Sequence, residues 1–167
     1  MYRGLLYRAL NPVYACEPLS DRGAQLYGGR FNAKGTPALY ASLSVMTALR
    51  EANQVGSLQP TTLVSYDAEI ERVFDGRDAT ALAEHAMDDE ALADAGWRDQ
   101  MKAKGEARTQ AFARGLIKAG YQGLLVRSFA RGARPDDLNL VLFAWGEGPP
   151  SRLTLIDDEQ RLAQSAG

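Results

Sequence analysis

Val64, Tyr66, Ala68 and Ile70 alternate with Ser65, Asp67 and Glu69, the two-residue period of a β-strand with one face buried and the other exposed. Gly123-Leu124-Leu125-Val126 and Leu138 to Trp145 are apolar runs dense enough to be central strands. Gly4 to Leu10 reads as a first strand, interrupted by Arg8 and stopped by the turn pair Asn11-Pro12, and Ala38-Leu39-Tyr40-Ala41 reads as a short second strand after Pro37. From Asn11 to Gly29, Pro, Ser, Asp and Gly recur at short intervals and predict a loop-rich stretch.

Helical patterning falls between these strands. Val45, Ala48, Leu49 and Ala52 stand at i, i+3, i+4 and i+7 and form one apolar stripe, with Ser42 or Ser44 as N-cap and Gly56 as a stop. Glu51 lies beside that stripe on a row with Thr47 and Ser44, so it can border the core without pointing into it. Asp75-Gly76-Arg77-Asp78 predicts a turn before an Ala-rich helix from about Ala79 to Ala95, which Asp88-Asp89-Glu90 can break in two. Glu106 to Ala119 is helical by propensity, with Phe112, Leu116 and Ala119 inward and Gly120 at the end. Runs of strands and helices in mixed order predict an α+β domain rather than a regularly alternating parallel sheet.

The 167 residues fit one domain, 1–167, and the apolar share of 46% and charged share of 24% are those of an ordinary globular protein. A net charge of -2 argues against nonspecific nucleic-acid binding, which needs surplus cations to displace counterions. Cys16 and His85 are each the only residue of their type, which excludes an intramolecular disulfide and an ordinary four-ligand zinc site and leaves little for a hydrolase triad. Arg3 and Arg8 interrupt the opening segment before a secretory apolar run builds, and no stretch approaches the roughly 20 apolar residues of a membrane span. The expectation is a cytoplasmic protein in a reducing compartment, with no bound metal and no membrane contact. Neither a P-loop nor a Rossmann glycine fingerprint is present.

The chemistry concentrates in Tyr27-Gly28-Gly29-Arg30-Phe31-Asn32 and the following Ala33-Lys34-Gly35-Thr36-Pro37. Adjacent glycines let backbone approach a ligand, and Arg30 brings a planar fork of donors suited to phosphate oxygens; a surface arginine paired with a nearby acid has the same signature. Tyr40 ends a strand, where its ring can pack in the core or stack on a ligand while the hydroxyl reaches water or a ligand group. Glu51 reads either as an exposed glutamate on an amphipathic helix or as a fixed carboxylate. Ser128, opening the loop Arg127-Ser128-Phe129-Ala130-Arg131-Gly132-Ala133-Arg134, suits both a turn and a ligand.

The order Gly-Gly-Arg-Phe-Asn, Lys-Gly-Thr-Pro, Leu-Tyr-Ala-Ser and a helix carrying Glu, followed by Leu-Val-Arg-Ser-Phe and Asn139-Leu140-Val141-Leu142, resembles the RES-domain toxins of bacterial type II toxin–antitoxin systems over Tyr7 to Phe143. The resemblance implies an ADP-ribosyltransferase-like fold, a split antiparallel β core flanked by helices with a NAD cleft between the two small sheets. It implies that NAD is a substrate, that Glu51, Arg30 and Tyr40 are catalytic, and that Arg30, Lys34, Tyr40, Ser128 and Asn139 bind NAD. It also implies transfer of ADP-ribose to a protein target. Release to water or phosphate, or a noncatalytic interaction domain, are the alternatives. Leu49 stands two residues before Glu51, where arginine-modifying transferases of this broad fold often carry Glu or Gln, which makes an arginine acceptor doubtful. With no obvious pro-segment, inhibition is expected from outside the chain, and the resemblance implies a small Xre-type helix-turn-helix antitoxin, whose acidic segment or terminal carboxylate Arg131 and Arg134 can receive.

Overall fold

The computed structural model describes residues 1–53 and 57–162, and Gly56, expected as a helix stop, lies outside them. The strands are β1 (Tyr2–Leu10), β2 (Leu39–Ser42), β3 (Thr62–Ile70), β4 (Val73–Asp75), β5 (Gly123–Arg127), β6 (Leu138–Leu142) and β7 (Ser151–Leu155). The helices are α1 (Arg22–Tyr27), α2 (Val45–Ala52), α3 (Ala79–Glu84), α4 (Asp89–Ala93), α5 (Trp97–Lys104) and α6 (Arg108–Lys118), with a 3-10 turn at Pro12–Tyr14. The sheet order is β4-β5-β6-β2-β1-β3-β7. Every neighbouring pair is antiparallel except β4 with β5, so the α+β fold carries a mixed sheet of seven strands.

The split in the core is visible in the register. β1 pairs with β3 along its full length, from Tyr2 opposite Ile70 to Leu10 opposite Thr62, but it meets β2 only where Tyr7 faces Ser42. One half of the sheet, β4-β5-β6-β2, therefore joins the other, β1-β3-β7, at one residue pair rather than along a ladder. Side chains alternate across the strands as the pleat requires. On β6, Val141 enters a cluster with Phe74, Phe112, Leu116 and Leu124, while Leu140 and Leu142 enter another with Leu6, Tyr66 and Ile70. Burial on both faces is why the β6 sequence reads as a continuous apolar run. The run outlasts the strand because Phe143 turns its N–H to the Gln122 carbonyl.

Two helical expectations are corrected. In α2 the inward positions are Thr47 and Ala48, with Val45 exposed, so the helix is rotated from its apolar stripe toward the Ser44–Thr47–Glu51 row. Polar partners account for the rotation: Thr47 Oγ1 donates to Asp137 Oδ1 at 3.1 Å, and Arg50 pairs with Asp137 Oδ2 at 2.6 Å. In α6, Ala119 is the exposed C-cap, and Thr109 and Gln110 join Phe112, Ala113 and Leu116 on the buried face. The Ala-rich segment does break at Asp88, which caps α4 by accepting from the Ala91 N–H.

Thr109 and Gln110 hold the glycine turn. The Thr109 hydroxyl donates to the Arg30 carbonyl, and Gln110 Nε2 donates to the Gly29 and Asn32 carbonyls at 2.9 and 3.1 Å. Within the turn, Gly29 and Asn32 pair backbone to backbone, and Gly28 takes φ 73°, where a side chain is strained. A Cβ on Gly29 would approach Asn32 Oδ1 to 2.6 Å and the Tyr40 hydroxyl more closely still. Gly29→Ala is therefore expected to destabilise the protein by about 1–3 kcal/mol through overpacking, read as a lower midpoint in urea denaturation, with an unchanged midpoint contradicting this packing.

Asp137 fastens the loop after β5 to α2. Its carboxyl is held below the usual aspartate range, chiefly by the Arg134 backbone N–H at 2.7 Å and also by the Thr47 hydroxyl and the Arg50 guanidinium. A depressed carboxylate stabilises the fold fully above its unfolded value of about 4 and loses that contribution as pH falls through the lower folded value. The Tm difference between the wild type and Asp137→Asn should be largest near neutral pH and shrink below about pH 4. A difference that is independent of pH would remove Asp137 from this role.

Candidate active site

Glu51 lies in the last turn of α2, half-buried, and its Oε1 accepts hydrogen bonds from Ser128 Oγ and Asn139 Nδ2, both at 2.5 Å. Each donor is itself fixed. Asn139 Oδ1 accepts from the Ser42 hydroxyl at 2.7 Å, which turns the amide nitrogen of Asn139 toward Glu51; Ser42 and Asn139 face each other across β2 and β6. Ser128 Oγ accepts from the Ala130 N–H at 3.2 Å, a local turn of the kind serine favours. The carboxylate is thus positioned from two strands and a loop.

Arg30 projects from the glycine turn and is half-buried. Its Nη1 donates to the Leu92 and Asp94 carbonyls at 3.1 and 2.7 Å, and its guanidinium lies 4.5 Å from the centre of the Phe129 ring. Burial lowers the guanidinium's proton affinity, while the negative charge of Glu51 works in the opposite direction. Stacking on Phe129 fixes the plane of the fork, and no acceptor among the described residues engages Nε or Nη2.

Tyr40 lines the same space with its ring, but its hydroxyl serves the protein. It donates to Asn32 Oδ1 at 2.7 Å and accepts from the Phe31 N–H at 3.1 Å. Burial raises the phenol well above its usual value, so it stays protonated at any physiological pH. Asn32, buried, passes the restraint on by donating to the Ala24 and Thr36 carbonyls. Tyr40 consequently presents a fixed aromatic wall rather than a proton donor.

These side chains enclose a cavity of about 400 Å³ lined by Arg8, Arg30, Tyr40, Glu51, Phe129 and Asn139 among others. A second cavity of about 260 Å³ shares Arg8, Tyr40 and Glu51 and adds Tyr7 and Ser42, the pair at which the sheet halves meet. The structure brings together Arg30, Tyr40, Glu51, Ser128 and Asn139. It leaves Lys34 exposed in the turn after the motif and outside the cavity lining. Arg131 and Arg134 are exposed on the loop. Among the described residues, no group of three or more His, Cys, Asp or Glu side chains is placed to hold a metal ion.

Several lining residues escape a reading of the sequence motifs. Arg8, Trp97, Arg98 and Phe129 all border the cavity. Arg8 had a signal, since it interrupts the apolar run of β1, and its Nη1 donates to the Pro18 and Ser20 carbonyls at 3.1 and 3.2 Å. Arg98 stacks over Trp97 at 4.4 Å. The site therefore offers one immobilised carboxylate, three guanidinium groups and aromatic walls, a set suited to an anionic ligand bearing rings and a bond that breaks with positive charge.

The comparisons agree with this architecture. A chain of the crystal structure of the M. tuberculosis MbcT–MbcA toxin–antitoxin complex superposes with a TM-score of 0.67 at 20% identity, covering 93% of this chain and 82% of that one. At that identity the likeness establishes the fold. No curated protein matches in sequence. The RES domain family model matches residues 5–163, which includes every residue of the site, and the chain belongs to the RES-domain family.

Proposed function

We propose that this protein is the toxin of a toxin–antitoxin pair, acting in the cytoplasm, and that it cleaves the bond between nicotinamide and ribose in NAD and transfers ADP-ribose to a protein acceptor. The observation that carries the reading is the Glu51 carboxylate, fixed by Ser128 and Asn139 beside the stacked Arg30. Loss of neutral nicotinamide leaves an oxocarbenium-like ribose, and a preorganised carboxylate stabilises that developing charge more than the ground state. Because Glu51 is already held by donors on one strand and a loop, with Asn139 itself fixed by Ser42 of a second strand, it need not reorganise as the charge forms. Arg30 and Arg8 supply forked donors for the diphosphate, and Tyr40 and Phe129 supply flat surfaces for rings. Membership of the RES family and likeness to the fold of an antitoxin-bound toxin support an antitoxin partner, proposed here as a small Xre-type helix-turn-helix protein.

A second reading, release of ADP-ribose to water or phosphate with depletion of NAD, is favoured by the small cavity reaching the same carboxylate, while Leu49, two residues before Glu51, weighs only against an arginine acceptor. Incubating the protein with adenylate-labelled NAD and cell extract separates the two: label retained on protein means transfer, and label in small products means depletion. Absence of nicotinamide release would leave a noncatalytic interaction domain.

Glu51→Gln keeps the shape and removes the charge, so it should lower nicotinamide release about a hundredfold, equivalent to roughly 3 kcal/mol, while the variant stays folded by circular dichroism. Near-wild-type turnover would exclude the electrostatic role. Arg30→Ala should act chiefly on binding and weaken ADP-ribose about tenfold or more in calorimetry, and Arg30→Lys should not restore it, because the bidentate fork and the stack on Phe129 are both lost. Equal affinity in all three proteins would make Arg30 structural.

A further inference from the structure

Next to the cleft lies a larger cavity of about 580 Å³, bounded by Tyr14, Glu17, Ser20, Arg22, Leu26 and Tyr27 and sharing Arg8 and Gly23 with the cleft. It is formed by the 3-10 turn at Pro12–Tyr14, the segment that follows it, and α1. Tyr14 and Tyr27 are 68% and 73% exposed and Leu26 is 56% exposed, a concentration of large apolar groups in one place. Within the described residues, the side chains of Tyr14, Glu17, Arg22 and Tyr27 have no hydrogen-bond or ion-pair partner. Their polar tips and flat faces are available to a ligand.

We propose that this groove seats the adenosine half of the dinucleotide whose nicotinamide ribose lies at Glu51, an inference that rests on the NAD reading above. The cleft at Glu51, about 400 Å³, is near the small end of ligand sites, which run from about 300 to 1,000 Å³. Its carboxylate, guanidinium groups and rings suit the nicotinamide ribose and the diphosphate. A dinucleotide continues past the diphosphate into a second nucleoside, which needs an adjoining space with a flat apolar surface. Arg8 belongs to both cavities, so a cation stands where the diphosphate passes between them, and Arg22 also lines the groove. The Tyr14 and Tyr27 rings offer π-faces to adenine, and the Glu17 carboxylate offers an acceptor to its exocyclic amine or to the ribose hydroxyls.

Nicotinamide mononucleotide (NMN) carries the same scissile bond and one phosphate but no adenosine, and it separates the two halves of the site. The wild type, the Tyr14→Ala/Tyr27→Ala double variant and the Tyr14→Phe/Tyr27→Phe double variant are compared for nicotinamide release from NAD and from NMN at subsaturating concentrations. Both residues are exposed, so the variants should fold. The wild type should prefer NAD, the alanine pair should lose about tenfold or more of that preference through KM for NAD, and the phenylalanine pair, which keeps the rings, should retain it. An alanine pair with the wild-type preference, or one that loses equally on both substrates, overturns the proposal. Titration with AMP keeps it independent of turnover: should the wild type release no nicotinamide, the NAD reading fails, and the groove stands only if AMP binds the wild type and binds the alanine pair more weakly. If the alanine pair binds AMP normally but loses capture of the coexpressed antitoxin or self-association, the groove is a protein interface and the proposal is wrong.

Discussion

The structure depends on the junction at which β1 meets β2 through Tyr7 and Ser42 alone. A continuous ladder there would fill the gap between the two halves of the sheet with paired backbone. A single pair keeps the halves joined and leaves room for cavities bordered by Arg8, Tyr40 and Glu51. Ser42 is also where the hydrogen-bond path to the carboxylate begins, through Asn139 to Glu51. The residue that closes the sheet thus also orients the group proposed to act on the substrate. Leu39, Leu140 and Leu142 of one half pack in the same cluster as Leu6 and Tyr66 of the other, so apolar burial rather than backbone pairing holds the halves together across the gap.

Polar groups at the heart of a domain are tolerated only when each finds a partner. Asn32, Ser42, Thr47, Thr109 and Gln110 are all buried, and among the described residues no buried side-chain nitrogen or oxygen lacks a hydrogen bond. Their partners are mostly backbone carbonyls and N–H groups of irregular segments, which helices and strands would otherwise have satisfied internally. Gln110 is representative. Its Oε1 accepts from the Ala107 N–H at the start of α6 while its Nε2 donates to two carbonyls of the glycine turn, so one side chain caps a helix and pins the loop that carries Arg30. Satisfied networks of this kind rigidify a site, and the same low dielectric makes removal of one member costly.

The sequence makes β3, β5 and β6 legible because each carries an alternating or continuous apolar pattern long enough to define a period. Val73-Phe74-Asp75 is too short to show one, so β4 is invisible until β5 pairs with it. Ser151–Leu155 does alternate, with Ser151 and Leu153 inward, but over five residues that signal is lost behind Gly148-Pro149-Pro150. α1 lies in a stretch whose sequence predicts loop because Gly23 sits inside it and Gly28-Gly29 follow directly, and α5 shows no apolar period because its residues are mostly polar. The site shows a different limit. Ser128 and Asn139 are 77 and 88 residues from Glu51, so no local pattern places them on one carboxylate, and the family resemblance implies only that both bind NAD. Lys34, two residues after Asn32 in the motif, shows that adjacency in sequence does not bring a side chain into the cavity.

Net charge is equally silent about the site. The chain carries -2 overall, yet the cavity wall gathers Arg8, Arg30 and Arg98 with Glu51 as its acidic member. Several other acids are paired away from it: Glu69 and Asp67 with Arg3 and Arg152 on the β1-β3-β7 half, Asp75 with Arg77, and Asp137 with Arg50. Screening confines exposed pairs to roughly a Debye length, about 8 Å at physiological salt. The partly buried guanidinium groups of Arg8 and Arg30 are screened less than exposed Arg98, so what an approaching anion meets is set by the arginines of the cavity wall rather than by the chain's sum. That separation of local from net charge lets an acidic protein present a cationic cleft without the surplus that would bind nucleic acid indiscriminately.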